Sequence, residues 1–366
     1  MTTTTDIIVI GGGIAGVSAA AELAAGARVT VLEGEAQLGY HATGRSAAIF
    51  IRNYGNATLR ALNAAAEPFF LEPEGVSDAS LLSPRGEMLL AAEDELDTLA
   101  EYCAGGSGLD RLMPAEAVAL VPILRQDAIA AAVIERAARD IDVDRMLQGY
   151  ARLLKSRGGR VITGAQVEAI SRQGDDWQVV AGGEALTAGI VVNAAGAWAD
   201  AVARLAGAVP VGVQPMRRSA ALLPAPAGHD MSGWPLFGAV SETWYAKPDA
   251  GRLMVSPADE EPVEAHDAWA DDMVLAEGLY RYEQAVTEPV TRVEANWAGL
   301  RSFAPDRTPV AGFDPQQPGF FWLAGQGGYG VQTAPALARL TAALITGATP
   351  DLPAATVTAL SPRRFT

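Results

Sequence analysis

Cysteine is almost absent. One residue, Cys103, stands in a chain of 366, which excludes an internal disulfide and any cysteine-based metal cluster. Histidine is scarce too: His41, His229 and His266 are scattered and lack metal-ligand spacing, so no metal is expected. Positive charge is in short supply, 27 Lys and Arg against 43 Asp and Glu, for a formal net charge of −16. That balance speaks against nucleic acid and anionic membrane surfaces as partners. It suits either a cationic ligand or simply a well-solvated acidic surface. No apolar run reaches the roughly 18 residues that span a bilayer. The start, Met1 to Asp6, is short and polar rather than a secretory signal, so a cytoplasmic protein without a membrane span is expected. There is no P-loop, no Ser/His/Asp motif, no repeat and no low-complexity tract. With 49% hydrophobic and 19% charged residues, a sizeable core is possible and disorder is not expected.

What the chain does have is glycine placed after apolar runs. Ile7 to Ile10 leads into Gly11-x-Gly13-x-x-Gly16, an alanine-rich stretch over 17–25 follows, and a second run, Arg28-Val-Thr-Val-Leu32, ends in Glu33. This is the βαβ dinucleotide fingerprint in full context. Gly11 allows the tight turn, Gly13 lets backbone approach a pyrophosphate, and Gly16 lets helix and strand pack closely. The helix start, with Ile14 and Ala15, offers free N–H groups to the phosphates, and Glu33 is spaced to accept ribose hydroxyls. Two further turns follow strands: Ile190-Val-Val-Asn-Ala-Ala-Gly-Ala-Trp198, and Gly319-Phe-Phe-Trp-Leu-Ala324 running into Gly325-Gln-Gly-Gly-Tyr-Gly330 and a helix over 333–345.

Between these, residues 57–71, 93–106, 114–120 and 143–158 read as helices, and 87–91, 160–163, 167–171 and 177–180 as strands. From Gln214 to about Arg301 short strands broken by proline and glycine suggest a separate antiparallel layer. The fold expected is α/β, a Rossmann-like cofactor domain with an inserted α+β substrate domain on an antiparallel sheet. The cofactor domain would comprise 1–80, 140–212 and 302–366, and the substrate domain 81–139 and 213–301.

The three glycine turns, in this order, resemble the D-amino-acid oxidase superfamily of FAD enzymes over nearly the whole chain. More narrowly, Gly39-Tyr-His-Ala-Thr-Gly-Arg-Ser-Ala-Ala48, Leu82-Ser-Pro-Arg-Gly-Glu-Met88, Gln214-Pro-Met-Arg-Arg-Ser-Ala220, Asn296-Trp-Ala-Gly-Leu-Arg-Ser-Phe303 and Gln326-Gly-Gly-Tyr-Gly-Val-Gln-Thr333 look like bacterial FAD-dependent D-arginine dehydrogenases. The resemblance implies non-covalent FAD and oxidative deamination of D-amino acids, with hydride passing from Cα to the flavin and the imino acid then hydrolysed. It implies that Glu33 and Gly34 meet the adenosine ribose, Val167 the adenine, and Thr43, Gly44, Arg45, Ser46, Ala47 and Ala48 the pyrophosphate and ring. Ala195, Gly196 and Trp198 would follow the second strand. Gly327, Gly328, Tyr329, Gly330 and Val331 would run under the isoalloxazine, with Gln332 and Thr333 near its N1–C2=O edge. His41 would bond the flavin or serve as a structural donor.

For substrate, the resemblance implies a carboxylate clamp of Arg218 and Arg301, the latter also against the flavin, with Tyr54, Tyr245 and Gly328 around it. A guanidinium fork matches a carboxylate. Glu87 opens an apolar strand where a carboxylate needs a partner. That partner is either a cationic substrate side chain or an internal salt bridge such as Arg85. Ile49 stands where the family carries histidine, which makes the pocket mouth more apolar and sets strict D-arginine preference against apolar D-amino acids. The competing expectations are a glycine, sarcosine or other secondary-amine oxidase and a non-catalytic flavoprotein. The electron acceptor, oxygen or a quinone, is left open.

Overall fold

The computed structural model describes residues 3–365. Its cofactor-side sheet has six strands in the order Arg160–Ile162, Val29–Leu32, Ile7–Ile10, Ile190–Asn193, Phe320–Ala324 and Val310–Phe313, all pairings parallel except the last. The strand Ile7–Ile10 is buried at every position, as suits a central parallel strand covered on both faces. Ile190–Asn193 beside it and Phe320–Ala324 one strand further end in the second and third glycine turns, so all three turns meet at the carboxyl edge of one sheet, where open α/β sheets bind ligands. The helix Ile14–Leu23 lies against this strand because Gly16 has no side chain: a Cβ there would sit 2.0 Å from the Gly11 carbonyl oxygen. The long helix Gly330–Thr346 packs along it and stops at Gly347, whose φ of 74° provides a left-handed cap. This helix starts inside the third glycine turn, three residues before the expected position.

A second sheet, of ten strands, draws on both halves of the sequence. It departs from the expected antiparallel layer in one pairing: Glu87–Ala91 runs parallel to Leu236–Ala239. The strands lie far apart in sequence, so no hairpin fixes their direction, and a crossover allows a parallel pair. The region from 214 also contains a helix, Asp272–Ala285, whose N-cap Asp271 accepts from Met273 and Val274 N–H. Two strands of this sheet carry the arginines. Gln214–Leu223 pairs antiparallel with Ala295–Phe303, with Met216 opposite Arg301 and Arg218 opposite Gly299. Directly paired residues share a face and alternate residues return to it, so both guanidiniums leave the sheet on the same side. A three-stranded sheet abuts this region, in which Ile49 pairs with Asp140. Asp140 takes ion pairs from Arg85 at 2.7 Å and from the buried Lys247 at 3.1 Å, stitching the small sheet to the large one. No helix among the described residues is long and apolar enough to cross a membrane.

Candidate functional site

A cleft of about 310 Å³ runs along the carboxyl edge of the six-stranded sheet. Gly11, Gly13, Ile14 and Ala15 form its floor, Glu33, Gly34 and Val167 one end, and Ala195, Gly196 and Trp198 a side. The start of the helix is poised by Thr43, whose Oγ1 accepts from Ile14 N–H at 3.0 Å. Glu33 accepts from Gly12 N–H at 2.6 Å and Glu35 N–H at 2.8 Å. Those bonds fix its carboxylate and leave its other lone pairs for hydroxyls.

The cleft is also bordered by a strap, residues 264–270, of which His266 and Ala268 line the cavity. Arg45 holds it. Its guanidinium donates to the carbonyls of Ala268 (2.9 Å) and Ala298 (3.0 Å) and pairs with Asp267 at 2.5 Å, while Tyr40 OH donates to the same carboxylate at 3.1 Å. The bond from Arg45 is the main reason the Asp267 carboxyl lies below its usual range. Arg45 also lines both the cleft and the smaller cavity beside it. His41 lines the cleft, joins Glu35 at 2.9 Å and rests on the Trp198 ring at 4.7 Å.

The cleft fits an extended dinucleotide. Gly196, at φ 55°, would project a Cβ into open space on its wall, so any side chain there would occupy the cavity. Ser302 Oγ and Gln326 Nε2, on wall residues at the end away from Glu33, are buried without a hydrogen-bond partner in the protein. A buried polar atom left unpaired costs about 1–3 kcal/mol, and a bound dinucleotide is rich in groups able to pair it.

A smaller chamber, about 90 Å³, adjoins the cleft, and the two share Gly299, Leu300, Gly327 and Gly330. Arg218, Tyr245, Arg301, Gly328, Ser46, Ala47 and Val331 line it. Arg301 lies flat against the third glycine turn: a Cβ on Gly328 would come within 2.9 Å of its Nη1, so glycine is what admits the guanidinium. Arg301 Nη1 donates to Tyr54 OH at 3.2 Å, and the Tyr54 ring meets Tyr329 at a tilt, centroids 4.6 Å apart. Burial opposes the charge on Arg301, yet Tyr54, Tyr245 and Glu242 hold its pKa above the usual guanidinium range. Burial likewise pushes the Tyr54 phenol up. Tyr245 behaves differently: burial pushes it up, but Arg301 and Arg218 together bring it below its ordinary value.

Away from the arginines the surroundings turn acidic. Glu87, at the start of a strand paired on both sides within the ten-stranded sheet, is buried and directly paired in register with buried Glu135. Tyr102 OH donates to Glu87 at 3.2 Å. Arg85 is not its partner, being taken by Asp140. Burial and then Glu135 push the Glu87 carboxyl up to about 8. Glu135 is satisfied by Arg52 N–H and by the main chain and amide of Asn53. Glu242, exposed on a turn at φ 53°, exerts its charge on both Glu87 and Arg301, which links the acidic end to the arginine end.

Other residues expected in the site stand outside both cavities. Gly16 and Gly44 serve packing and turn, Gly44 N–H donating to the Gly39 carbonyl at 2.8 Å. Ala48 sits in the left-handed region at φ 57°. The Gln332 amide both donates to and accepts from the Ile51 main chain at 3.2 Å, which satisfies a buried amide, and Thr333 Oγ1 donates back to the Tyr329 carbonyl. Ile49 is half-buried on its strand. Sequence reasoning passed over Ser302, Gln326, Glu135, Glu242 and the strap. The one local signal was Glu135 closing the apolar run Ala131–Glu135, a carboxylate in a strand that should be buried.

A family model described as FAD dependent oxidoreductase (DAO) matches residues 6–344. FAD-dependent oxidoreductase domain-containing protein 1 of Bos taurus is 30% identical over 172 residues, 43% of this chain and 35% of that protein, so the match spans about a third of that relative's length. Among solved structures, L-proline dehydrogenase from P. horikoshii superposes with a TM-score of 0.86 at 24% identity, over 100% of this chain and 98% of that one. Glycine oxidase from Geobacillus kaustophilus gives 0.85 at 23%, over 98% of both chains. These likenesses show the fold.

Proposed function

The chain belongs to the DAO family of FAD dependent oxidoreductases, with FAD as its cofactor, and we propose that it oxidises D-amino acids, preferably those with a cationic side chain, to imino acids. The observation that carries this reading is the chamber itself. Two guanidiniums and the Tyr245 phenol converge on a space that shares a wall with the cofactor cleft, and Tyr54 backs Arg301. A substrate held there by its carboxylate lies next to the ring-bearing half of the dinucleotide.

Bound FAD supplies the electron chemistry, taking up the hydride lost when the Cα–N single bond becomes an imine. The chain's own residues do the positioning. Arg301 and Arg218 hold the carboxylate, and Tyr54 fixes Arg301 through its hydroxyl. Holding Cα in one place replaces a random encounter, which contributes about 7–11 kcal/mol where alignment is good. The imino acid leaves and is hydrolysed to the 2-oxo acid and ammonia. A cationic side chain would answer the carboxylates of Glu87 and Glu242.

A second reading has its own support. The chamber is only about 90 Å³ and Glu87 is not among its lining residues, which favours glycine, sarcosine or another small secondary amine. The test is anaerobic bleaching of the bound flavin by D-amino acids, with L-enantiomers, glycine and sarcosine as controls. Fast bleaching by D-Arg or D-Lys supports the first reading. Bleaching by apolar D-amino acids alone keeps the mechanism and moves selectivity to Ile49 and its neighbours. Bleaching by glycine or sarcosine alone installs the second reading, and no bleaching by any of them leaves a non-catalytic flavoprotein.

A further inference from the structure

We infer that Glu260 is a positioning residue that aims Arg218 at the substrate carboxylate, an inference that rests on the reading of Arg218 as part of the clamp. Arg218 is 8% exposed, and one edge of its fork is fully committed. Nε donates to the Asp259 carbonyl at 2.8 Å and Nη2 to Glu260 Oε1 at 3.1 Å. The Nη1/Nη2 edge remains, on a residue that lines the chamber. A guanidinium offers two bidentate edges; docking one of them on residues 259–260 fixes the direction of the other.

Glu260 is itself held from the far side. The same Oε1 accepts from Arg307 Nη2 at 3.0 Å. Arg307 adopts a left-handed backbone, φ 57°, a costly conformation for a long side chain that persists only where the surroundings impose it. Its guanidinium lies 3.9 Å over the Phe303 ring. Phe303 is on the strand that carries Arg301. The chain of contacts therefore closes: Arg218 to Glu260, Glu260 to Arg307, Arg307 to Phe303, and along two residues of strand to Arg301. Both clamp arginines are referenced to one brace. Because Arg307 neutralises Glu260, the charge of Arg218 is left for the chamber. Burial raises the Glu260 carboxyl, but Arg307, with Arg218 and Arg301 behind it, holds it below the usual carboxylate range, so the brace stays ionised at neutral pH.

A surface ion pair without this role would change little when removed. The test is Glu260→Gln in the FAD-loaded enzyme, with the amino acid that bleaches it fastest. KM is expected to rise roughly tenfold, the effect of one hydrogen bond to a charged group, with kcat within about twofold, because a bound carboxylate itself re-seats Arg218 at saturation. Arg307→Met should give a smaller rise, Arg307→Lys a smaller one still, and Glu260→Gln/Arg307→Met no more than Glu260→Gln alone, as for two parts of one unit. An unchanged or lowered KM in Glu260→Gln overturns the inference, and so does a fall in kcat that tracks loss of FAD. If no amino acid is turned over, propionate binding read from the flavin absorbance separates the two readings. A Kd weakened in Glu260→Gln keeps the brace while the amino-acid reading falls, and an unchanged Kd removes the brace as well.

Discussion

Along the wall of Gly299, Leu300, Gly327 and Gly330, the cofactor cleft on one side is floored by the glycine-rich main chain from Gly11 to Ala15, and the smaller chamber on the other carries the charged side chains of Arg218 and Arg301. The cleft's floor comes from one short run around Gly11–Gly16, and its shape depends on the absence of Cβ atoms. The chamber gathers Arg218, Tyr245 and Arg301, with Tyr54 bonded behind Arg301, from separate elements, and it holds charged groups near one another. A main-chain site tolerates drift in its surroundings as long as its glycines stay. A side-chain site fails one group at a time and can be retuned the same way.

The largest test of that contrast is Gly16→Val. A Cβ 2.0 Å from the Gly11 carbonyl must push helix from strand, and we predict a loss above about 4 kcal/mol, the range reserved for severe core damage. Thermal unfolding and the FAD-to-protein ratio would show it, and a variant that keeps both would end the main-chain account of the cleft. Next comes Arg301→Met, expected to lower kcat/KM by about 3 kcal/mol, as for unpairing a buried charge, while FAD content stays unchanged. Near-normal kinetics would remove Arg301 from the clamp. Glu87→Leu should cost D-Arg and D-Lys about 2–4 kcal/mol and spare D-Leu and D-Met; equal losses for all would deny Glu87 a role in selectivity.

Acid–base behaviour sharpens the same point more gently. Glu87 has its carboxyl raised from 4.5 to about 8 by burial and Glu135, so it is neutral below that pH and anionic above it. The KM ratio of D-Arg to D-Leu should therefore fall as pH rises through about 8, since titration of the amine common to both substrates cancels. The unliganded protein should correspondingly lose stability between pH 4.5 and about 8, because a raised acid stabilises the fold only while protonated. A pH-independent ratio would rule out ionised Glu87 as the counter-charge. The smallest effect belongs to Thr43→Val, which removes the acceptor for Ile14 N–H and should cost about 1 kcal/mol, as for a lost helix cap, with FAD bound slightly less tightly.

The same contrast explains what could be read from the amino acids alone. The strand, glycine turn, helix, strand and Glu33 of the first unit depend on neighbours within about thirty positions, and apolar runs with glycine punctuation report them directly. Likewise, the helices at 57–71 and 114–120 begin and end as their local patterns indicate. The parallel pairing of Glu87–Ala91 with Leu236–Ala239 leaves no local trace, because either strand would look the same in an antiparallel neighbour. The partners of Arg45, Asp267, Ala268 and Ala298, lie more than two hundred positions away and leave no trace in its loop. Glu260 and Arg307 look like ordinary surface charges until the fold closes them onto Arg218.

Asp267 has a consequence for how the holoprotein is made. It joins Arg45 and Tyr40, which belong to the nucleotide-binding half, to a strap from the other half, beside a cleft that His266 and Ala268 of the strap line. A dinucleotide bound in that cleft is expected to be laid in before the strap fastens. We predict an order of assembly: denatured chain refolded with FAD present from the start recovers full flavin content, and chain refolded first and given FAD afterwards loads slowly. In Asp267→Asn the two orders of addition should give the same result. The acidic residue would then act as a closing stitch whose timing, more than its strength, sets how much active protein a cell obtains from a limited supply of FAD.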